Sequence, residues 1–187
     1  MLGIPIGLLY VNAGEWMVHK YLLHGWGSKK ESFWNFHWGE HHRESRKNKF
    51  VDAAYTNTSK TDWLKGNWDA QTKESSGLIF AALLHAPLFP VAPFFTGAVW
   101  YSLANYHRIH KKSHLDPEWA KQHLPWHYDH HMGPNQHANW CVTKPWFDIV
   151  MGTREPYLGT QQEKDDIVRK EKRIRRRKEK AALKAAA

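Results

Sequence analysis

Apolar stretches and polar breaks follow one another along this chain in a pattern that predicts helices and no strands. Residues 2–24 begin with the apolar run "LGIPIGLLYVNA" and turn polar toward their end, which predicts one helix. "GWGSKKES" interrupts it, and residues 33–47 predict a second helix, rich in His and Trp. From Asn48 to Ser76 the sequence is polar, with capping residues but no sustained period, and predicts a loop holding a short helix. Residues 77–106 then run for 30 positions without Asp, Glu, Lys or Arg. Pro87, Pro90 and Pro93 stand in the middle of that run, and each removes a backbone donor and clashes with the preceding turn. The expectation is a hairpin of two short helices turning near residues 88–92. Each arm of about 12–14 residues reaches only ~20 Å, against the ~30 Å of a bilayer's hydrocarbon core. Such a hairpin dips into a membrane or relies on local thinning; its alternative is a buried hairpin in a soluble α-domain.

"LDPEWAKQHLPWHYDHH" predicts a helical turn and then a helix after Pro125, and "PWFDIVMGTREPYLGT" a short apolar turn with a closing loop. The fold expected is all-α: an integral or monotopic membrane protein with a Pro-broken hairpin and a His-rich helical bundle. Residues 1–160 make its domain, and 161–187 a basic tail, helical or disordered.

Charge adds a partner question. The formal net charge is +9, and the stretch from Gln162 to Ala187 holds 11 Lys or Arg against 5 Asp or Glu. The run "RKEKRIRRRKEK" has three readings. It is a solvated helical extension, a segment drawn to anionic headgroups at ~1 kcal/mol per basic residue, or a nucleic-acid arm. No recognition motif accompanies it, so nucleic acid is not the expected partner. The apolar N-terminus lacks a preceding basic residue and a small-residue cleavage site, so it is not read as a signal peptide. With one cysteine, Cys141, neither a disulfide framework nor a thiolate metal cage can form.

Histidine carries the chemistry. Of 14 histidines, ten fall in four boxes: His19 and His24 in "HKYLLH"; His37, His41 and His42 in "HWGEHH"; His110 and His114 in "HKKSH"; His127, His130 and His131 in "HYDHH". Residues four apart share a helix face, so His37 with His41, His110 with His114, and His127 with His131 are expected to point into common volumes. Adjacent pairs such as His41–His42 and His130–His131 diverge by about 100° and suit two ions side by side. His19 and His24 diverge unless the helix unwinds there, which Gly25 and Gly27 would permit. Ten imidazoles exceed a structural zinc's four ligands and match two ions at five nitrogens each. Glu40, Asp129 and Asn139 are candidates to accept from outer ring N–H groups or to balance charge. His107, His123 and His137 are possible extra ligands, and His85 is expected to be a hydrogen-bonded hairpin residue. Storage tracts concentrate their histidines in one low-complexity segment, whereas these boxes are dispersed from residue 19 to 131.

As a set these motifs resemble the fatty acid hydroxylase and sterol desaturase superfamily, the membrane-bound histidine-rich di-iron proteins. "HKYLLHGWG" with "HWGEHH" is similar to the first boxes of bacterial carotenoid β-ring hydroxylases. "HKKSH", "LPWHYDHH" and the Asp-x-x-x-Gly-Thr ending in "NWCVTKPWFDIVMGT" look more like the fatty acid hydroxylase branch. The resemblance covers roughly residues 10–155. It implies an α-helical membrane protein with the ten box histidines as metal ligands and two iron ions, zinc being a possible substitute in purified protein. It implies O₂-dependent hydroxylation of an unactivated C–H bond of a lipid (a fatty acyl chain, a sterol or a carotenoid). Desaturation on the same scaffold, or metal binding without turnover, are the alternatives. Trp126 and Tyr128, with hairpin side chains, are candidate walls for an apolar substrate. The chain has no dinucleotide or flavin motif and no cysteine cluster, so electrons are expected from an external ferredoxin or cytochrome b5-like donor. The positive-inside rule places boxes and tail together on the cytoplasmic side of the membrane.

Overall fold

A computed structural model describes residues 2–56, 66 and 68–185. Among the described residues the chain is helical, with no strand. The part of the expected 48–76 loop that covers residues 57–65 and 67 lies outside them. Contacts divide the chain into residues 1–155 and 156–187.

In the first unit, α1 (Gly3–Met17) continues without a break into π-helical turns (Val18–Gly25). A second π-helical stretch (Phe36–His42) leads into α2 (Arg43–Lys47). The hairpin consists of α3 (Ala70–His85), a 3₁₀ turn (Ala86–Leu88) and α4 (Pro93–Leu115). Its turn falls where the prolines predict. Its arms are longer than expected, because the ends are set by capping and not by the change in polarity. Asp69 accepts the Thr72 N–H at the start of α3, and Pro93 occupies the first turn of α4, where its missing donor costs nothing. Proline also opens α5 (Pro117–His123), which Asp116 caps, and α6 (Pro125–Met132). The short α7 (Trp146–Val150) closes the unit.

α1 lies along α4. A Cβ on Gly7 would meet the Ala98 Cβ at 2.8 Å and the Phe95 carbonyl at 2.9 Å, so the two backbones approach as only glycine allows. Tyr10 reaches His85 of α3 (hydroxyl to Nε2, 3.0 Å), and the Trp100 indole donates to the Ala82 carbonyl at 3.0 Å. These contacts gather the start of α1, the end of α3 and the start of α4 at one end. That end is greasy on the outside: Val91 is 80 % exposed, Leu83 65 % and Phe80 62 %, with Ile4, Ile6 and Leu9 also exposed. No helix among the described residues is long and apolar enough to cross a membrane. At the other end the interior is built largely from imidazoles, with Phe50 and Tyr55 among them.

The second unit carries α8 (Gln161–Ala185). The Thr160 hydroxyl accepts the Glu163 N–H at 3.2 Å while the Glu163 carboxylate accepts the Gly159 N–H at 2.7 Å, a reciprocal cap that starts this basic helix.

Candidate metal centre

The ten box histidines gather at the end of the bundle remote from the hairpin turn, and none is more than 3 % exposed. They form two adjoining clusters. In the first, ring nitrogens of His19, His24, His37, His42 and His130 lie within 4.8 Å of one another; in the second, those of His41, His110, His114 and His131 do. His127 joins the second through its Nε2, 3.0 Å from that of His114. The clusters meet where His42 stacks on His131 at a centroid distance of 4.1 Å.

Local backbone geometry explains the sorting. A π-helix runs in i→i+5 register. His19 and His24, five apart, therefore share a face without the chain having to unwind at the glycines. The same widening between Phe36 and His42 pairs His37 with His42, and sends His41 to the other cluster. This corrects the expectation that His37 and His41 share a volume, which assumed α-helical spacing. His110 with His114 keeps the i, i+4 relation on α4, and the neighbours His130 and His131 divide between the clusters.

Outer partners decide which ring nitrogen is bare. The His19 Nδ1 meets the Trp140 carbonyl at 2.5 Å and the His130 Nδ1 meets the Ala138 carbonyl at 2.6 Å. A carbonyl only accepts, so both Nδ1 atoms carry the proton and both Nε2 atoms present lone pairs inward. In the second cluster the Nδ1 of His114 donates to the Phe50 carbonyl (2.9 Å), that of His41 to Asp52 (2.7 Å) and that of His110 to Glu74 (2.6 Å). Tyr55 donates to the same Glu74 oxygen at 2.7 Å. His42 differs: the Gln136 amide nitrogen, a donor, lies 2.9 Å from its Nδ1 and also donates to the His131 carbonyl at 3.2 Å.

The inward nitrogens are crowded and underserved. In the first cluster, Nε2 atoms stand 2.8 Å apart for His19–His37, 3.1 Å for His24–His42, His37–His42 and His42–His130, and 3.2 Å for His24–His130. Nitrogens held 2.0–2.1 Å from one ion would be separated by roughly 2.9 Å at right angles and roughly 3.6 Å at 120°. In the second cluster the buried Nε2 atoms of His41, His110 and His131 have no hydrogen-bond partner. The bare Nε2 atoms of His19 and His130 and the unpartnered Nε2 atoms of His41, His110 and His131 are buried lone pairs that a cation would satisfy. Burial, then neighbouring imidazoles, holds His37, His42, His127 and His131 well below the usual histidine range; burial is also the main cause for His19 and His114, and His130 is lowered to about 3. The rings whose range is lowered are neutral imidazoles. The donor set fits metal ions, and the two clusters can hold them.

The remaining expected site residues fall elsewhere. Glu40 is exposed and pairs with Lys73 at 3.3 Å, because a helix whose His37, His41 and His42 face inward turns position 40 outward. Asp129 is buried and pairs with Arg154 at 2.7 Å. Asn139 acts through the backbone. It holds the left-handed conformation (φ 59°), and the carbonyls on either side of it, Ala138 and Trp140, are those that hold His130 and His19. His107 shares Glu74 with His110, at 3.6 Å. His123 stacks on Trp119, and the exposed His137 stacks on Trp38. Trp126 donates to the Val142 carbonyl at 2.8 Å, and Tyr128 packs on Phe50, whose ring stacks on His114. His85 is hydrogen-bonded in the hairpin, to the Ala81 carbonyl and Tyr10.

Asp52, Glu74, Tyr55 and Gln136 have no signal in the sequence: each lies in a polar stretch and reaches its histidine across the fold. The Asp-x-x-x-Gly-Thr ending has a visible structural use. Asp148 accepts the N–H groups of Trp140 and Cys141, each at 2.8 Å, and the Thr153 hydroxyl at 2.8 Å, while Gly152 makes the turn at φ 64°. It thus fixes the segment whose carbonyls orient His19 and His130.

No family model, curated protein or solved structure matches the chain.

Proposed function

We propose that this protein is a membrane-associated di-iron oxygenase that uses O₂ to hydroxylate an unactivated C–H bond of a lipid: a fatty acyl chain, a sterol or a carotenoid. The observation that carries the reading is the pair of adjoining, buried imidazole clusters in which His19, His130, His41, His110 and His114 direct bare Nε2 atoms inward. Iron suits an all-imidazole site, and a bound pair supplies the O₂ chemistry that no protein side chain performs. Neutral nitrogens leave the ions' charge largely in place, and Asp52 and Glu74 offset part of it from one ring away.

The chain's own residues do the rest. His19, His24, His37, His42 and His130 hold one ion, and His41, His110, His114, His127 and His131 the other. Burial of all ten rings keeps water away from the reacting centre. The exposed apolar end built from Ile4, Leu9, Phe80, Leu83 and Val91 supports a protein seated in one leaflet, from which an apolar substrate enters. Electrons come from an external ferredoxin or cytochrome b5-like donor. A cavity of about 570 Å³ beside Trp38, His42 and Gln136 has Lys30, Arg43 and Arg46 in its wall, a setting that attracts an acidic donor. The positive-inside rule puts the histidines and basic α8 on the cytoplasmic side.

The test is mass spectrometry of lipids from cells making this chain, alongside iron analysis of the purified protein. Two irons per chain, a hydroxylated lipid, and loss of both product and one iron in His130→Ala and in His110→Ala are expected. A lipid lacking two hydrogens would identify a desaturase instead. Two irons with unchanged fatty acid, sterol and carotenoid profiles would leave a metal-binding protein without turnover.

A further inference from the structure

We infer that the two metal sites are built unequal, and that Asp52 and Glu74 make the His41–His110–His114–His127–His131 site the tighter one. The inference rests on the metal-pair reading above and goes beyond it, since ten identical ligand types would by themselves suggest two equivalent ions.

The inequality lies in what stands behind the rings. Where the outer nitrogens of the first cluster are held, neutral groups hold them: the Trp140 carbonyl behind His19, the Ala138 carbonyl behind His130, and the Gln136 amide behind His42. In the second cluster two of the rings are backed by carboxylates, His41 by Asp52 at 2.7 Å and His110 by Glu74 at 2.6 Å. A carboxylate that accepts a ring N–H pushes electron density toward the opposite nitrogen and makes it a stronger donor. Its negative charge also offsets an ion's positive charge through a medium that screens poorly.

Both carboxylates are built in. Asp52 is 2 % exposed and takes the Ala54 N–H on its other oxygen at 2.9 Å. The Glu74 side chain is 10 % exposed, and the Tyr55 hydroxyl donates to it at 2.7 Å. The Glu74 carboxyl oxygen that faces His110 thus takes both the His110 ring N–H and the Tyr55 hydroxyl.

Titration of the metal-free full-length chain with Co²⁺, followed by its visible ligand-field bands and by chelator competition, tests this without any turnover. The wild-type chain is expected to take two equivalents in two separated steps. Glu74→Gln and Asp52→Asn each weaken the tighter step about 10–100-fold, as loss of such outer partners does elsewhere, and leave the weaker step in place. Two wild-type equivalents of equal affinity overturn the inference while leaving the metal pair standing, and need no variant to fold. So does a shift of the weaker step, or of both alike, in Glu74→Gln and Asp52→Asn proteins whose circular dichroism matches wild type. A wild-type chain that takes up no Co²⁺ overturns the metal pair and this inference together.

Discussion

Asp148 accepts the backbone N–H of Trp140, the residue whose carbonyl, on its far side, receives the His19 Nδ1 proton. The same carboxylate accepts the Cys141 N–H of the peptide unit that carries this carbonyl, and so aims it at a ring of the first histidine cluster. Asp148 is fully buried and holds three donors, so Asp148→Ala strands Trp140 N–H, Cys141 N–H and the Thr153 hydroxyl at once. The expected loss is about 3 kcal/mol, by the cost of orphaned buried donors. A urea unfolding curve checks it; an unchanged midpoint would show that the corner is not what holds the segment.

Asn139 offers a finer test of the same segment. Its φ of 59° costs an ordinary residue about 1 kcal/mol or more, and glycine almost nothing. Both Asn139→Gly and Asn139→Ala lose the side-chain bonds to Arg154 and Glu155. Asn139→Ala should be the less stable of the two by about 1 kcal/mol, measured by thermal unfolding. Equal stability would mean the left-handed turn is not needed.

Removing metal should soften the protein, because the inward nitrogens then face one another without a cation. An ion present at a hundred times its dissociation constant stabilises by about 2.7 kcal/mol per site. Differential scanning calorimetry with and without a chelator should show a lower melting temperature for the stripped wild type. The His110→Ala protein should show a smaller drop. A melting temperature indifferent to chelation would speak against occupied sites.

Glu15 predicts a pH dependence. Burial raises its carboxyl to about 7, against the Thr143 and Val142 hydrogen bonds that favour the charged form, with Asp148 adding to the rise. The folded state therefore holds a proton that the unfolded chain releases near 4.5. Its stabilising contribution is present below that value and is lost as pH rises from 4.5 to 7. Discounted for partial exposure, the loss is on the order of 2 kcal/mol. Glu15→Gln keeps an oxygen for the two N–H groups and removes the titration. Denaturant midpoints across that pH range should flatten relative to wild type, and parallel curves would refute the assignment.

Leu83 and Leu84 are 65 % and 61 % exposed at the apolar end. Exposed positions of this kind change stability by about 0.5 kcal/mol or less when substituted. The Leu83→Glu, Leu84→Glu double variant should accordingly fold as before but lose vesicle binding, since each leucine inserted in lipid contributes about 1.5–3 kcal/mol. Flotation on liposomes reads this. Undiminished flotation would mean that another surface meets the membrane.

The sequence by itself determined the helical class, the proline-marked hairpin turn and the ten histidines, because helix period, proline chemistry and composition are local properties. It did not determine how the histidines divide between two clusters, since that depends on a change of helical pitch at Val18–Gly25 and Phe36–His42. No pattern of residue types announces such a change. His37 joining His42 and not His41 follows from it. The backing of the rings was likewise decided by tertiary structure: Glu74 and Asp52 reach His110 and His41 from other elements, and two main-chain carbonyls around Asn139 serve His130 and His19. A carbonyl has no sequence signature, and a carboxylate becomes a partner only when folding removes the water that would otherwise solvate it.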